Sequence, residues 1–349
     1  MQTPQQVPVP SVVRVKEGAL DRVGLYLKRS LHDRVLILQS EGLVAPLPDR
    51  LRDSLRNNGV ETTGWEEVRE IAIESALELV SRVPSSTSAI VGIGGGKALD
   101  VAKYIATQAR LPYFSVPTSL SNDGFCSPQS SLTYQGARRS FPASIPFGLV
   151  VDTQVCLQAP KELTLSGIGD LVAKFTAVRD WKLSFHETGE PVGDFAALLS
   201  DGSVHAFMNR PKLDTQGMQL LATALMMNGL AMAMCGTSRP ASGSEHLISH
   251  ALDRILEPPR LHGIQVGVAT YLMSLVQDAN HERIDGLFES TGFWDIVKAA
   301  PFSREHWMQA MQLAKSIKQS YYTILSTPDA TAKATHFIQT NHRLCEAIV

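Results

Sequence analysis

The feature that most constrains the fold is a run of three glycines, Gly94-Gly95-Gly96, between an apolar run and a helical pattern. The segment 89–103 reads AIVGIGGGKALDVAK, which predicts a strand, a tight glycine turn and a helix that begins near Lys97. Glycines let the backbone approach a ligand closely, and a helix N-terminus offers free N–H groups to a phosphate. The pattern matches neither G-x-G-x-x-G nor a P-loop. It indicates a phosphate-binding turn, with an ordinary tight turn as the alternative interpretation.

Strand and helix patterns alternate along the first 150 residues, on both sides of this turn. Strands that alternate with helices of this length are typical of a parallel sheet covered by helices on both faces. We therefore expect an α/β N-terminal domain. Its predicted strands are 11–15, 33–38, 88–93 and 113–116, and its predicted helices are 43–57 and 66–83.

The pattern changes between 127 and 151, where SSLTY and FGLVV flank the polar segment QGARRS and predict a hairpin that closes the first domain. From Pro160 onward β patterns nearly vanish. A chain of 349 residues favours two domains. We expect an α/β domain over 1–158 and an all-α domain over 159–349. The predicted helices of the second domain are 161–183, 191–204, 214–234, 242–256, 262–279 and 303–324.

Composition limits the partners. The net charge of -2 gives no basic surface for nucleic acid, so an anionic ligand must be held by a few local cations. The start of the chain, MQTPQQVPVP, lacks the pattern of a signal peptide. The most apolar window, 220–235, is interrupted by Asn228 and Gly229, so we expect a buried helix that is too short to span a membrane.

Cysteine usage favours a reducing compartment. The chain has four cysteines, and no two of them form a C-x-x-C pair, so neither a zinc knuckle nor a redox motif is indicated. Reduced thiols are typical of cytosolic proteins, and we expect a cytoplasmic protein. The cysteines are Cys126, Cys156, Cys235 and Cys345.

Three segments of the second half contain candidate metal ligands. Asp170 stands in SGIGD, His246 and His250 lie four apart in RPASGSEHLISHALD, and His262 follows the helix-breaking pair Pro258-Pro259. A carboxylate and two imidazoles leave a coordination position open, which is what a Lewis-acid site requires. Each residue alone has a plainer interpretation, since an Asp can cap a helix and a His can be an ordinary packed residue. Together they favour a metal site formed by Asp170, His246 and His262.

These segments resemble the sn-glycerol-1-phosphate dehydrogenases, a branch of the superfamily of dehydroquinate synthases and iron-containing alcohol and glycerol dehydrogenases. The resemblance covers about half of the chain, from Ala89 to Met273, in the same order. The glycine turn is shared across the superfamily, whereas two segments are specific to the glycerol-phosphate branch. The resemblance implies a dehydroquinate synthase-like fold and NAD(P)-dependent reduction of dihydroxyacetone phosphate to sn-glycerol 1-phosphate, a step of phospholipid biosynthesis. The segments that carry it are GIGGGKALDVAKYIA, SVPTSLSNDGFCSP, SGIGDLVAKFTAVRDW, RPASGSEHLISHALD and LHGIQVGV.

The resemblance also implies roles for individual residues. Asp170, His246 and His262 match the ligands of a catalytic zinc, with nickel or iron as alternative metals. His250 matches a cleft histidine that is not a ligand, and Asp123 matches a carboxylate that contacts substrate hydroxyls. Either of these two residues, or a chain of waters, would supply the proton. The expected contacts of NAD or NADP are Gly94, Gly95, Gly96, Lys97, Asp100, Thr118 and Ser119.

The substrate phosphate needs cations, and two are candidates. Arg239 lies seven residues before His246, and Lys174 follows Asp170 by four, on the same helix face. The alternative for both is a solvated surface charge.

Two positions depart from the family pattern. The family usually has Glu two residues after the third ligand, where this chain has Ile264, which puts the metal preference in question. After the strand VLIL the chain reads Gln39-Ser40-Glu41, which leaves the choice between NADH and NADPH open.

Other functions remain open from the sequence. They are a glycerol or other polyol dehydrogenase of the same superfamily, a dehydroquinate-synthase-like lyase that uses NAD transiently, and a non-catalytic protein that kept the fold. The complete ligand set argues against the last. The superfamily tendency predicts a homodimer.

Overall fold

The computed structural model describes residues 8–349, and their contacts divide them into two compact units. The first unit contains the described residues up to Ala159 together with Asp214–Met234. The second unit contains Pro160–Leu213 and Cys235–Val349. The predicted division into 1–158 and 159–349 does not include this return of the chain to the first unit.

The first unit is organised around a six-stranded sheet in the order β1-β8-β5-β4-β2-β3, with every neighbouring pair parallel. This confirms the predicted parallel sheet. Two further strands, β6 and β7, form an antiparallel hairpin. The strands are β1 Val12–Lys16, β2 Arg34–Ser40, β3 Glu61–Val68, β4 Ala89–Gly94, β5 Tyr113–Pro117, β6 Gln129–Tyr134, β7 Ala137–Pro142 and β8 Gly148–Asp152.

Both faces of this sheet are buried because the side chains of its central strands alternate between two apolar clusters. Val35 and Ile37 of β2 belong to one cluster, while Leu36 and Leu38 belong to the other. Period-two alternation with apolar residues in both registers is the pattern of a strand covered on both sides. The helices of this unit are α1 Val23–Arg29, α2 Leu47–Asn57, α3 Ile73–Ser81, α4 Gly96–Ala109, α5 Thr153–Gln158 and α9 Thr215–Cys235.

Two sequence predictions in this unit are wrong. The helix predicted over 66–83 is shorter, because its first residues belong to β3, a partly exposed edge strand whose polar side chains hide its pattern. The hairpin predicted over 127–151 pairs other segments. ARRS forms its second strand, the two-residue turn is Gln135-Gly136 with positive φ at both positions, and FGLVV lies in the parallel sheet as β8. Positive φ at both positions matches the twist of a two-residue hairpin.

Helix α9, Thr215–Cys235, is 21 residues long and strongly apolar. The prediction that this segment is too short for a membrane span is therefore wrong, since its length and composition alone would suffice. Half of its most apolar window is buried inside the structure, as in a core helix, and a single helix of this kind is weak evidence for a membrane protein. The buried residues Asn228 and Gly229 interrupt its apolar surface.

The second unit is all-helical in the part of the chain described, which confirms the predicted α-helical character of the C-terminal half. Helix α6 packs against α11, and α10 packs against both α11 and α14. The helix predicted over 161–183 is divided at Ala173 into α6 and α7. The helices are α6 Lys161–Val172, α7 Lys174–Thr188, α8 Asp194–Met208, α10 Ser244–Ile255, α11 His262–Val276, α12 His281–Thr291, α13 Phe293–Ala299, α14 Arg304–Ile317, α15 Ala330–Thr340 and α16 His342–Ala347.

Candidate functional site

Three predicted ligands meet in the second unit. Asp170 lies near the end of α6, His246 in the first turns of α10, and His262 at the first residue of α11. One ligand atom from each residue lies within 4.8 Å of the other two. Nε2 of His246 is 3.3 Å from Oδ1 of Asp170, and the rings of His246 and His262 are 5.2 Å apart between centroids. The helix-cap interpretation of Asp170 does not apply, because this residue lies inside a helix.

Glycines explain how two of these helices come close enough. A Cβ atom on Gly169 would overlap the carbonyl oxygen of Gly263, and one on Gly263 would overlap that of Ser166. The backbone N–H of Gly263 also donates to Oγ of Ser166 at 3.1 Å. Backbone contact of this kind requires residues without side chains at the crossing. The crossing of α6 and α11 therefore places Asp170 and His262, which flank these glycines, beside each other.

Glu245 orients His246. Its Oε1 is 2.9 Å from Nδ1 of His246, which leaves Nε2 directed at Asp170. The carboxylate is itself held by hydrogen bonds from the N–H of Gly243 and from Oγ1 of Thr176 at 2.7 Å. A carboxylate on the second ring nitrogen fixes the tautomer and orientation of a metal-binding histidine. Glu245 was not selected from the sequence, although its position beside His246 in SEH was a usable signal.

Lys174 is fully buried and acts on Asp170. Its Nζ lies 3.7 Å from Oδ1 of Asp170 and donates to the carbonyl oxygen of Ala241 at 3.1 Å. Burial alone would raise the pKa of Asp170, but the Lys174 ammonium and the hydrogen bond with His246 hold that pKa well below its usual range. Asp170 is therefore ionised, as a metal ligand must be. These contacts support a positioning role for Lys174, and they leave its predicted contact with the substrate phosphate without support.

The electrostatics of the cluster favour a bound cation. Burial alone would lower the pKa of His246, but hydrogen bonds to Asp170 and Glu245 outweigh burial and raise it. The two carboxylates thus favour a positive charge at this ring. Burial and the charge of His246 lower the pKa of His262 to about 3, so its imidazole is neutral and able to bind metal. An ionised carboxylate with two imidazoles is a donor set that fits zinc and similar divalent metals.

His250 lies beside the three ligands without joining them. Its ring centroid is 6.2 Å from that of His246 and 5.8 Å from that of His262, and its side chain is partly exposed. Its Nδ1 lies 3.7 Å from Oδ2 of Asp253. Burial lowers the pKa of His250, which keeps the ring neutral near pH 7.

At the departure from the family pattern, Ile264 is 2% exposed, so an apolar side chain in the core occupies the position of the usual carboxylate.

The glycine turn of the first unit has room for a phosphate. Gly94 has a φ of 137°, and a Cβ atom there would overlap Oγ of Ser40. That hydroxyl accepts a hydrogen bond from the N–H of Gly95 at 3.0 Å. A Cβ on Gly95 would meet no atom within 4 Å, and one on Gly96 would meet only Asn122 at 4.0 Å. No side chain caps the N-terminus of α4, so its first N–H groups fit a pyrophosphate.

The other residues predicted to bind the cofactor differ in exposure and in their contacts. Lys97 is exposed on the first turn of α4, and Ser119 is buried. The N–H of Thr118 donates to the carbonyl oxygen of Gly94 at 3.0 Å, so the end of β5 lies beside the turn. Burial raises the pKa of Asp100, whose carboxylate lies 3.2 Å from Nζ of Lys103. Asp100 therefore pairs with Lys103, and its predicted contact with the cofactor stays a prediction.

Lys103 connects α4 to the loop that contains Asp123. Its Nζ donates to the carbonyl oxygen of Gly124 at 2.6 Å and to Oγ of Ser127 at 3.3 Å. Asn122 caps the same loop by accepting from the N–H of Gly124 at 2.9 Å. Asp123, predicted to contact substrate, begins the short 3-10 turn Asp123–Cys126. A buried cation thus fixes the backbone that presents this carboxylate.

Arg239 does not present an open guanidinium edge. It is fully buried, its Nε donates to Oε1 of Glu190 at 2.9 Å, and its Nη2 also binds that carboxylate. Nη1 donates to the carbonyl oxygen of Tyr322 at 2.8 Å, and the guanidinium lies over the ring of Tyr321 at 3.9 Å. These contacts give Nε, Nη1 and Nη2 protein partners and favour a structural role for Arg239, and its predicted contact with the substrate phosphate stays a prediction.

A parallel sheet with a glycine turn in one unit, and a three-ligand cluster with open positions in an all-helical unit, define the class of metal-dependent dehydrogenases. The family model of iron-containing alcohol dehydrogenase matches residues 14–160. Glycerol dehydrogenase from Schizosaccharomyces pombe shares the fold at a TM-score of 0.76 and 20% identity, covering 99% of this chain and 92% of that one. An iron-containing alcohol dehydrogenase from Thermotoga maritima superposes at a TM-score of 0.68 and 18% identity, covering 96% and 98%.

Curated relatives narrow the class. Glycerol-1-phosphate dehydrogenase [NAD(P)+] from Aeropyrum pernix is 34% identical over 336 residues, covering 94% of this chain and 95% of its own length. The enzyme of the same name from Methanosphaera stadtmanae is 32% identical over 339 residues, covering 96% and 97%. The chain belongs to the glycerol-1-phosphate dehydrogenase family and is an oxidoreductase, which confirms the resemblance drawn from the sequence.

Proposed function

We propose that this protein reduces dihydroxyacetone phosphate to sn-glycerol 1-phosphate with NADH or NADPH. The observation that carries the proposal is the complete cluster of Asp170, His246 and His262, in a chain that matches glycerol-1-phosphate dehydrogenases over nearly their full length. A lyase or a non-catalytic relative would not account for that match. The proposed metal is zinc, with nickel or iron as alternatives, because the donor set accommodates each of them.

The residues of the second unit would hold and tune the metal. Asp170, His246 and His262 are its ligands, Lys174 keeps Asp170 ionised, and Glu245 fixes the ring of His246. When bound, the metal supplies Lewis acidity to the ketone oxygen and the reduced nicotinamide supplies the hydride. His250 is neutral and partly exposed beside the ligands, so it is a candidate to pass a proton. Asp123 is the alternative, and transfer through water remains a third route.

The glycine turn would hold the cofactor. The uncapped start of α4 and the open space above Gly95 and Gly96 support binding of its pyrophosphate. Thr118 and Ser119, which follow β5, would lie near the nicotinamide. Lys97 would add a positive charge on the first turn of α4, and Asp100 would support the turn through Lys103.

We further propose that the enzyme is a cytoplasmic homodimer that serves phospholipid biosynthesis. Support comes from the superfamily tendency to dimerise and from the four cysteines, none of which forms a disulfide within residues 8–349, as expected in a reducing compartment.

The experiment is a kinetic comparison with zinc-loaded protein. Oxidation of NADH and of NADPH is followed with dihydroxyacetone phosphate, dihydroxyacetone and glyceraldehyde 3-phosphate. We expect the first substrate to have the highest kcat/KM. Equal efficiency with dihydroxyacetone would indicate a glycerol dehydrogenase, and substrate turnover without net change in NADH absorbance would indicate a lyase.

Product stereochemistry gives a second criterion. Three separate anchors, on the ketone oxygen, the free hydroxyl and the phosphate, allow only one orientation of a prochiral ketone. We therefore expect a single enantiomer, sn-glycerol 1-phosphate, in a stereospecific enzymatic assay. A racemate, or mainly sn-glycerol 3-phosphate, would contradict the proposal.

A further inference from the structure

A group of hydroxyls and one ammonium lies in the second unit, apart from the metal ligands. Nζ of Lys318 donates to Oγ of Ser238 at 3.1 Å. The hydroxyl of Tyr321 is 2.8 Å from Oγ of Ser238 and 3.1 Å from Oγ1 of Thr237. We call these four residues the hydroxyl–ammonium cluster. None of them was selected from the sequence, because they come from two segments about 80 residues apart.

The fold fixes this cluster next to the metal-binding helix. Helix α14 packs against α10, and Lys318 is the residue that ends α14. Thr237 and Ser238 lie in the connection that leads into α10, a few residues before His246. Arg239 stacks under the Tyr321 ring and is itself held by Glu190, so the ring has a rigid support. The cluster is thus built on ordered elements on both sides.

The charge of Lys318 is not balanced by an acid. Among residues 8–349, it forms no ion pair with a carboxylate, while its neighbour Arg239 is paired with Glu190. Its side chain is only partly exposed, and its Nζ lies 4.5 Å from the centroid of the Tyr321 ring. Burial lowers the pKa of Lys318 and Arg239 lowers it further, while Tyr321 and Glu245 act in the opposite direction. An ammonium that is partly desolvated without a carboxylate partner is costly, and a bound anion would remove that cost.

The cluster also lies close to the metal centre. Ser238 lies eight residues before His246, and Lys318 follows directly after α14, the helix that packs against the helix holding His246. His250 stacks on the ligand His262 with centroids 5.8 Å apart. An anionic group on the cluster would therefore lie in the same unit as the proposed ligands and beside the helix that holds His246.

We propose that Lys318, with the hydroxyls of Thr237, Ser238 and Tyr321, binds the phosphate of the substrate. A phosphate monoester needs charge and several hydrogen-bond donors, and the cluster supplies one ammonium and three hydroxyls. Arg239 positions the Tyr321 ring instead of touching the phosphate. This inference rests on the proposed function, because it names the residues that distinguish dihydroxyacetone phosphate from dihydroxyacetone.

The decisive variant is Lys318→Met, which keeps the length of the side chain and removes its charge. Loss of one charge-assisted hydrogen bond corresponds to roughly a 10- to 150-fold loss of affinity. We expect kcat/KM for dihydroxyacetone phosphate to fall by about that factor, mainly through KM, and the value for dihydroxyacetone to fall much less. Lys318→Arg should restore most of the preference. Lys315→Met removes an exposed charge from the last turn of the same helix and serves as the matched control.

A binding measurement makes the test independent of turnover. Inorganic phosphate is titrated calorimetrically into zinc-loaded wild-type protein, Lys318→Met and Lys315→Met. We expect weaker phosphate binding only in Lys318→Met, with zinc content equal in all three. If Lys318→Met does not fold, Tyr321→Phe and Ser238→Ala carry the same comparison. Tyr321→Phe retains the ring over Arg239 and removes only the hydroxyl.

The outcomes separate the two proposals. Suppose wild-type enzyme prefers dihydroxyacetone phosphate and Lys318→Met keeps that preference. The inference is then overturned and the proposed function stands. An equal loss for both substrates would also overturn it, because Lys318 would then act on the fold or the metal. If wild-type enzyme shows no preference, the proposed function fails, and loss of phosphate binding in Lys318→Met alone would still support the cluster as an anion site.

Discussion

Nδ1 of His246 lies 2.9 Å from the carboxylate of Glu245, its immediate neighbour in the chain. Adjacent residues inside a helix point in different directions, so such a contact is unusual there. This one forms at the N-terminal end of α10, where the N–H of Gly243 and the hydroxyl of Thr176, a residue of α7, also donate to the carboxylate. The consequence is that the ring of His246 has a fixed orientation before any metal arrives.

Glu245→Gln should therefore weaken metal binding while leaving the three ligands in place. We expect a loss of roughly 10- to 100-fold in zinc affinity, measured by competition with a chelator. Glu282→Gln, an exposed change on α12, is the control. His262→Ala gives the reference for a broken site and should lose stoichiometric zinc while remaining folded. Unchanged zinc affinity in Glu245→Gln would show that Glu245 is not needed to orient the ligand.

Gly263→Ala should disrupt the crossing of α6 and α11. The new methyl group would overlap the carbonyl oxygen of Ser166, so the helices must separate. We expect a loss of unfolding free energy of about 3 kcal/mol or more, together with weaker zinc binding. Gly286→Ala on α12 meets nothing within 4 Å and should be neutral or stabilising by about 0.5–1 kcal/mol. Chemical denaturation of both variants compares them, and equal stability would contradict the packing argument.

Arg239→Met tests the structural role assigned to that residue. Removing one partner of a buried ion pair costs roughly 3–5 kcal/mol, and we expect the lower end because the Glu190 side chain is 29% exposed. Arg56→Met, which removes an exposed pair with Asp53, should change stability by less than about 1 kcal/mol. The midpoint of denaturant unfolding measures both. A stable Arg239→Met variant with a raised KM only for dihydroxyacetone phosphate would indicate that Arg239 binds the substrate phosphate after all.

Asp180 should make stability depend on pH. Burial, with the nearby charge of Glu245, raises the pKa of Asp180 to about 7, well above the usual value for an aspartate. The folded state therefore holds a proton that the unfolded state has released, and this stabilisation is complete below about pH 4 and lost as pH rises to about 7. One such proton corresponds to a slope of at most roughly 1.4 kcal/mol per pH unit.

The measurement is the unfolding free energy of metal-free protein between pH 5 and 8. We expect wild-type protein to lose stability across this range and Asp180→Asn, which carries no titrating group there, to show a shallower slope. Parallel curves would mean that Asp180 is ionised throughout, held by its hydrogen bonds from Ser244, Gln277 and Ile324.

The residues that the sequence could identify are those with local signals. The strand before Gly94 and the helix after it follow from apolar periodicity and a glycine run, and the ligand segments were recognisable as short motifs. The edge strand β3 was not predicted because its exposed face is polar and because its sequence lacks the apolar pattern of a buried strand. FGLVV was misplaced because its partners, β1 and β5, are distant in the sequence, and no local rule names them.

The candidate site shows the same division. Asp170, His246 and His262 could be selected by residue type and spacing, and their convergence within 4.8 Å agrees with that selection. The partners of a charge could not be selected in this way. Arg239 was predicted to bind the substrate phosphate because its actual acceptor, Glu190, is 49 residues away and could not be recognised from the sequence. The hydroxyl–ammonium cluster combines the segment before α10 with the segment after α14. Only the packing of these two helices brings the two segments together.

The path of α9 has a consequence for how the protein is made. The first unit is not a continuous stretch of chain, because Asp214–Met234, which includes nearly all of α9, joins it after more than fifty residues of the second unit. Within that unit, a Cβ atom on Gly229 would press on the backbone of Cys126, so the fit of this helix is close. A ribosome that has released only the first 159 residues has therefore delivered an unfinished sheet domain. Its last helix belongs to a later segment, so a fragment cut at the apparent boundary would lack part of its own core.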